Sequence, residues 1–329
     1  MLLGLVFAIG GLIVLAISAD QFVKGSARLA LIFRVAPIVV GAVVIGFGTS
    51  APEMVVSGLA AGRGDLDIGV GNVIGSNVAN MSLVLGAATF IATIPVRSAT
   101  LRREAPLSVA SVVVFALLIQ GGIDRWEGAL LAILLVVAMA IVLGAARRDD
   151  PLAEGVDELI GDEEDFRTRV EVTRTLVGLA FVVASATVLV EGAVRVAGAL
   201  DLSGGFVGFT LVAVGTSMPE LVTAVAAARR GEAELLVGNL LGSNVFNSLA
   251  VGGVIGIVGP GPVLDSTLAE VGSALMIGVC VLAWVLMMIG SRVTKRDGVL
   301  LVGLWIASVI ILSGGDEQVA GAMSGLVGS

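Results

Sequence analysis

Long apolar runs, repeated along the whole chain, restrict what it can fold into more than any other feature. The plainest lie at residues 2–19, 109–120 with its flanks, 129–146, 176–190 and 299–312. Roughly 20 apolar residues in a helix cross the hydrocarbon layer of a bilayer, and a soluble domain has no core able to hide so many runs of that length. Composition agrees: 57% of the residues are hydrophobic and 14% charged, against roughly 45–50% and about 25% in soluble domains. Ten-residue segments of strict apolar/polar alternation, the mark of a transmembrane β-barrel, are absent. The chain therefore reads as an all-α integral membrane protein.

Two entries in the composition narrow the chemistry. The chain has no histidine and one cysteine, Cys280, set in an apolar run. An intrachain disulfide is impossible, and so is a Cys/His cluster for zinc, copper or iron. Histidine proton relays and Ser-His or Cys-His nucleophile pairs are excluded as well. Any ligand held here is held by oxygen, and Cys280 reads as a packing residue. The first apolar run has no basic stretch ahead of it and no small-x-small cleavage pattern behind, so it is expected to stay as the first spanning helix.

Ten helices are expected, at 1–27, 36–62, 67–94, 103–122, 125–146, 172–199, 206–228, 234–258, 268–290 and 298–313. The 19 basic residues then divide unevenly: Arg63, Arg125 and Arg195 on one side and the other 16 opposite them. By the positive-inside rule the crowded side is cytoplasmic, and both termini are extracytoplasmic. Residues 148–171 form an acidic cytoplasmic linker without the spacing of a calcium-binding loop, so they read as a solvated connection.

The linker separates two related halves. Two segments align without a gap at an offset of 167 residues: G-T-S-A-P-E-M-V from Gly48 leading to G-N-V-I-G-S-N-V-A-N at Asn80, and G-T-S-M-P-E-L-V from Gly215 leading to G-N-L-L-G-S-N-V-F-N at Asn247. From Gly48 to Gly86, 20 of 39 positions match their partners, which marks a duplication. Each half also opens with an acid and a base one turn apart, Asp20 with Lys24 and Glu191 with Arg195, read as intrahelical ion pairs. The expected organisation is a five-helix repeat at 1–147, the linker, a second five-helix repeat at 172–313, and an extracytoplasmic tail at 314–329. An odd number of helices per half starts the second copy on the opposite side, giving the inverted-topology repeat of many secondary transporters.

The repeated residues have a shared chemistry. Pro52 and Pro219 lack an N–H, so each breaks its helix and frees a carbonyl, an event tolerated at membrane depth only beside a polar cavity. Glu53 and Glu220 follow directly. A carboxylate at the bilayer centre costs on the order of 3 kcal/mol even on the lenient scale, and two at mirrored positions repel unless cations or protons compensate them. Thr49 with Glu53, Ser76 with Asn80, Thr216 with Glu220 and Ser243 with Asn247 are each four apart, which places each pair on one helix face. Gly71, Gly75, Gly238 and Gly242 suit close helix packing. Asn77 and Asn244 suit either the broken backbone or an ion. Two carboxylates surrounded by hydroxyls and amides match the six to eight oxygens calcium takes, and sodium also suits such ligands.

With these motifs the chain resembles the sodium/calcium exchangers of the cation/calcium antiporter superfamily. The paired G-T-S-x-P-E and G-S-N-x-x-N motifs resemble its two α-repeats, here about 46–86 and 213–253. The resemblance implies that Glu53 and Glu220 bind calcium with the carbonyls of Thr49 and Thr216. It further implies sodium positions at Ser50, Ser76, Ser217 and Ser243 and at the backbone oxygens of Gly46 and Ala213, with Asn80 and Asn247 bordering the centre. In that family the first and sixth helices slide across a rigid remainder. Some members carry aspartate where this chain has Asn247, so this site has one titratable group fewer. The G-N-x-x-E pattern of the proton-driven branch is missing here.

The implied function is secondary antiport of sodium against calcium, with no enzymatic step and no cofactor. Calcium/proton exchange, potassium-dependent exchange and a passive cation channel are the alternatives. The expected partners are the two ions and the lipid bilayer, with no nucleic acid and no obligate protein partner, in a plasma (inner) membrane.

Overall fold

The computed structural model describes residues 1–33, 50–145 and 167–314. In chain order the described helices begin with α1 (Leu2–Ile32), α2 (Ala51–Gly62), α3 (Leu66–Thr89), α4 (Ser98–Arg102), α5 (Glu104–Leu118) and α6 (Arg125–Ala145). They continue with α7 (Thr168–Leu200), α8 (Gly204–Thr216), α9 (Met218–Arg230), α10 (Ala233–Val258), α11 (Leu268–Ser291) and α12 (Lys295–Ser313). Among the described residues seven helices are long and apolar enough to cross a membrane. The number is eight when α8 and α9, bent 44° at their junction, count as one broken span. Each of the ten expected segments overlaps a described helix. However, α5 has 15 residues, short of a full crossing, and the segment 36–62 is described only from Ser50 onward.

α3 and α10 are the centre of the molecule. Their most apolar windows are 94% and 78% buried, against 17% for α6 and 33% for α12. A helix apolar on all sides must be surrounded by other helices, whereas one with an exposed apolar face is left to lipid. α6 packs on the end of α10, α12 on the end of α3, α5 on α10, and α11 on α3 and on α5. Together α3, α5, α6, α10, α11 and α12 form one large apolar core that includes Ile74, Met81, Leu85, Phe115, Leu131, Leu236 and Trp305.

A second apolar cluster is separate from it. It joins α1 and α7 to α2 and α8 through Leu15, Ala19, Val56, Ala60, Leu189 and Val212. α1 and α7 pack against each other along most of their length, and small residues set their spacing. A Cβ added to Gly11 would stand 2.8 Å from the Leu189 nitrogen, and one on Gly178 2.8 Å from that of Phe22. Any side chain there would force the pair apart.

One end of this pair is closed by charge. Glu171 accepts from Arg28 (3.3 Å) and from Arg174 (3.0 Å), with Arg28 8% and Glu171 2% exposed. This corrects the expected extent of the acidic linker, which does not run to Glu171: α7 already begins at Thr168. The reason is tertiary, because Glu171 is drawn into the helix pair by Arg28. Residues 148–166 of that linker, and the tail from 315, lie outside the described residues. Glu171→Ala takes away the carboxylate that both guanidinium groups share. The expected loss is about 3 kcal/mol of stability, read as a lower melting temperature of the purified protein, whereas Arg169→Ala on the exposed face changes little.

Loops that the sequence groups on one side meet in the structure. β1 (Ile94–Pro95) pairs antiparallel with β2 (Arg292–Val293), and Arg97 forms an ion pair with Glu234; all of these lie in loops expected on the basic-rich side. On the other side Ile123 pairs with Gly261, and Asp67 accepts from the N–H of Leu264 (2.9 Å). There, partial burial raises the Asp65 carboxyl above its ordinary range, opposed by the neighbouring Arg63. The two intrahelical pairs form as expected, Lys24–Asp20 at 3.0 Å and Arg195–Glu191 at 2.7 Å.

Candidate functional site

The duplicated motif folds in duplicate. Ser50 (φ −89°, ψ 3°) opens α2, and Ser217 (φ −83°, ψ 6°) opens α9. Proline follows two residues later in each, where its missing N–H costs nothing, and the glutamate sits in the first turn. Both helices then end in a turn at a glycine of positive φ, Gly64 (90°) and Gly231 (78°). Asp65 (φ −91°, ψ 55°) and Glu232 (φ −86°, ψ 59°) start the central helices. Each central helix carries a π-helical turn, Asn80–Val84 and Asn247–Val251, in the same register of the repeat. Such single turns widen a helix locally and recur at functional sites.

Serine and glutamate three residues apart at a helix start have the spacing of a capping box, but neither serine caps its helix. Among the described residues the hydroxyls of Ser50 and Ser217 make no well-formed hydrogen bond although the residues are 0% and 3% exposed. Glu53 and Glu220 are both fully buried, and the two carboxylates interact electrostatically across the repeats. Thr216 and Ser217 of the second repeat flank Glu53, whose own oxygens receive no well-formed hydrogen bond. Buried polar atoms are nearly always paired, so an enclosed carboxylate beside bare hydroxyls at a helix N-terminus marks a place arranged for something else. Neutral oxygens dominate it: among the described residues no cluster of three or more carboxylate or cysteine side chains occurs.

α3 and α10 supply the amide wall. Asn80 donates to Asn244 Oδ1 (3.1 Å), Asn244 to the backbone carbonyl of Asn77 (3.3 Å), and Asn77 to Ser248 Oγ (3.0 Å). Asn77 and Asn244 therefore staple the two central helices together rather than meeting the broken backbone. Asn80 Oδ1 and both polar atoms of Asn247 are left without partners in full burial. Cys280 is buried and accepts weakly from Asn244 (3.5 Å), in keeping with its reading as a packing residue.

Ser50, Glu53, Ser76, Asn80, Thr216, Ser217, Glu220, Ser243 and Asn247 are thus all within 3% of full burial. Ala213 is buried too, and its carbonyl accepts from Ser217 N–H (3.0 Å) and from the Thr216 hydroxyl (3.3 Å). Thr49 and Gly46 lie outside the described residues. Thr216 and Glu220 depart from the expected geometry. Thr216 closes α8 and Glu220 belongs to α9, so the bend between them breaks the shared helix face expected of this pair. The Thr216 hydroxyl instead donates to Asn72 Oδ1 of the other repeat (3.1 Å).

Asn72 and its counterpart Asn239 were not singled out from the sequence, nor was Ser57, which accepts from Asn72 Nδ2 (2.9 Å). The available signal was the Gly-Asn that opens both G-N-x-x-G-S-N segments.

The profile of a protein family described as "Sodium/calcium exchanger protein" matches residues 3–144 and 172–314. CaxA of Alkalimonas amylolytica is 36% identical over 321 residues, covering 95% of this chain and 99% of the relative. The inner membrane protein YrbG of Escherichia coli is 32% identical over 322 residues, covering 95% and 98%. Among solved structures, the sodium-calcium exchanger NCX_Mj soaked with Na+ and Sr2+ superposes with a TM-score of 0.65. It is 29% identical, and the match covers 94% of this chain and 98% of that one.

Proposed function

The chain belongs to the sodium/calcium exchanger family, a family of transporters, and from that premise we propose that it carries sodium one way and calcium the other by alternating access. The observation that carries this reading is the pair of buried carboxylates, Glu53 and Glu220, each in the first turn of a helix that starts at an uncapped serine.

In this reading calcium lies between Glu53 and Glu220 and is shared with the carbonyls of Thr49 and Thr216. Sodium ions use the hydroxyls of Ser50, Ser76, Ser217 and Ser243 with the backbone oxygens of Gly46 and Ala213. Asn80 and Asn247 border the centre with neutral amide oxygens. Exchange follows from charge. Like charges about 4 Å apart repel by about 4 kcal/mol at an effective dielectric near 20, so neighbouring carboxylates oppose each other, and burial adds a desolvation penalty to each. An empty site is thus a poor state in which to close the protein. One divalent ion or several monovalent ions cancel that charge, but both loads together overshoot it. Sodium and calcium therefore exclude one another, and the protein changes face only when one of them is aboard.

The proposal includes ten spanning helices in two inverted five-helix repeats, at 1–147 and 172–313, with the acidic linker cytoplasmic and both termini outside. The inner membrane is the proposed location, as the name of YrbG states for that relative. Proteoliposomes loaded with sodium test the function. Calcium-45 uptake is expected when sodium is high inside and low outside, and it is expected to stop when that gradient is abolished. Uptake that follows an imposed pH gradient and ignores sodium defeats the sodium reading, and ionic current without exchange defeats antiport.

A further inference from the structure

A hydroxyl that ligates a cation does so through its oxygen lone pairs, so its hydrogen must point elsewhere, into an acceptor behind it. Asn72 is placed as that acceptor. Its Oδ1 receives the hydroxyl of Thr216 (3.1 Å) and, at the limit of hydrogen bonding, that of Ser76 (3.5 Å). One amide oxygen on α3 thereby touches a residue of the proposed calcium position and a residue of the proposed sodium position. The other end of the amide is fixed, because Nδ2 donates to Ser57 Oγ (2.9 Å), which decides which end faces the site. All three side chains of the first repeat, Ser57, Asn72 and Ser76, are fully buried.

The second repeat lacks this anchor. The counterpart of Ser57 is Ala224, which has no hydroxyl. Asn239, the counterpart of Asn72, is 5% exposed, and among the described residues neither polar atom of its side chain makes a hydrogen bond. Equivalent positions of the duplication are therefore not equivalent in the hold they have on their amide.

We propose that Asn72, anchored by Ser57, is a positioning residue that aims the Ser76 hydroxyl oxygen at the transported cation and fixes the side chain of Thr216, whose carbonyl shares it, and that the Ser57/Ala224 difference makes the first repeat the better organised half of the site. This rests on the cation site proposed above. Neither Asn72 nor Ser57 touches the ion, so their effect is on affinity rather than on the charge balance that drives exchange.

The test uses purified full-length protein and reads cation binding as the rise in melting temperature on titrating NaCl or CaCl2, alongside sodium-driven calcium-45 flux. Ser57→Ala is expected to raise the sodium concentration for half-saturation by about tenfold while the maximal flux stays near that of the parent. Ser57→Thr, which keeps the hydroxyl, restores the parent value. Asn72→Ala gives at least the shift of Ser57→Ala, whereas Asn239→Ala moves half-saturation by less than about twofold, the measure of an amide that holds nothing. A merely structural role would lower the maximal flux and leave half-saturation unmoved, and that result overturns the assignment. So does an Asn239→Ala shift as large as that of Asn72→Ala. If Asn72→Ala fails to fold, Ser57→Ala carries the test alone. Parent protein that neither cation stabilises overturns the cation site and this assignment with it. Cation-stabilised parent protein beside an unchanged Ser57→Ala overturns this assignment only.

Discussion

Replacing either buried glutamate by its neutral amide, Glu53→Gln or Glu220→Gln, is expected to reduce sodium-driven calcium-45 flux by about 100-fold, an effect worth about 3 kcal/mol. Glutamine keeps the shape and an oxygen ligand but removes the charge, and charge-assisted contacts are roughly twice as strong as neutral ones. Both substitutions should cost about the same, because the two residues occupy the same place in duplicated local structures. The double variant should be no worse than either single one, since one neutral partner already spoils the match to a divalent ion. Stability supplies the control. Each carboxylate is fully buried beside its twin, so in the ion-free protein losing one charge relieves repulsion and desolvation. The melting temperature of the ion-free variant should therefore equal or exceed that of the parent, while the stabilisation by calcium disappears. A variant that melts lower and keeps normal flux would show that these glutamates brace helices and bind nothing.

What the sequence made legible, and what it hid, divides by range. The helix break at Ser217 and the helix start at Ser50 were readable because proline lacks a donor and cannot be accommodated mid-helix without consequence; no distant residue is needed to predict that. The grouping of loops was readable from the alternation of the helices, and the pairing of Ile94 with Val293 brings together two loops expected on one side. The failures lie where a distant partner decides. Glu171 looked like the end of a solvated linker, but its burial is set by Arg28, 143 residues earlier. Asn72 was not singled out, yet it accepts from Thr216, 144 residues later. Thr216 itself was assigned a helix face with Glu220, and the predicted break between them removed the face. The π-helical turns at Asn80 and Asn247 leave no mark in hydrophobic period, since both lie in stretches buried all round.

A single crosslink between the α1–α7 pair and the rest of the protein is expected to stop exchange altogether. The pair is built to behave as one body: glycines bring the two backbones into contact along their length, and Glu171 ties both to one end. Toward α2 and α8 it presents an apolar cluster of its own, separate from the main core. Apolar surfaces without interlocking hydrogen bonds can shift relative to one another at little cost, whereas α3 and α10, stapled by Asn80, Asn244, Asn77 and Ser248, cannot. Leu12 of α1 meets the α8 backbone at Gly215, where an added Cβ would lie 2.9 Å from Leu12 Cγ. The double substitution Leu12→Cys/Gly215→Cys removes the leucine that would clash with the new side chain and leaves two thiols within reach of the roughly 3.8 Å Cβ separation of a disulfide. The native Cys280 is buried away from the oxidant. Oxidation should lower calcium-45 flux by about 100-fold in the double variant alone, and reduction should restore it, with the bond verified by mass spectrometry. Normal exchange through a fully crosslinked protein would mean that α1 and α7 stay fixed against α8 while the site changes face, and the motion would then have to be sought within the central helices.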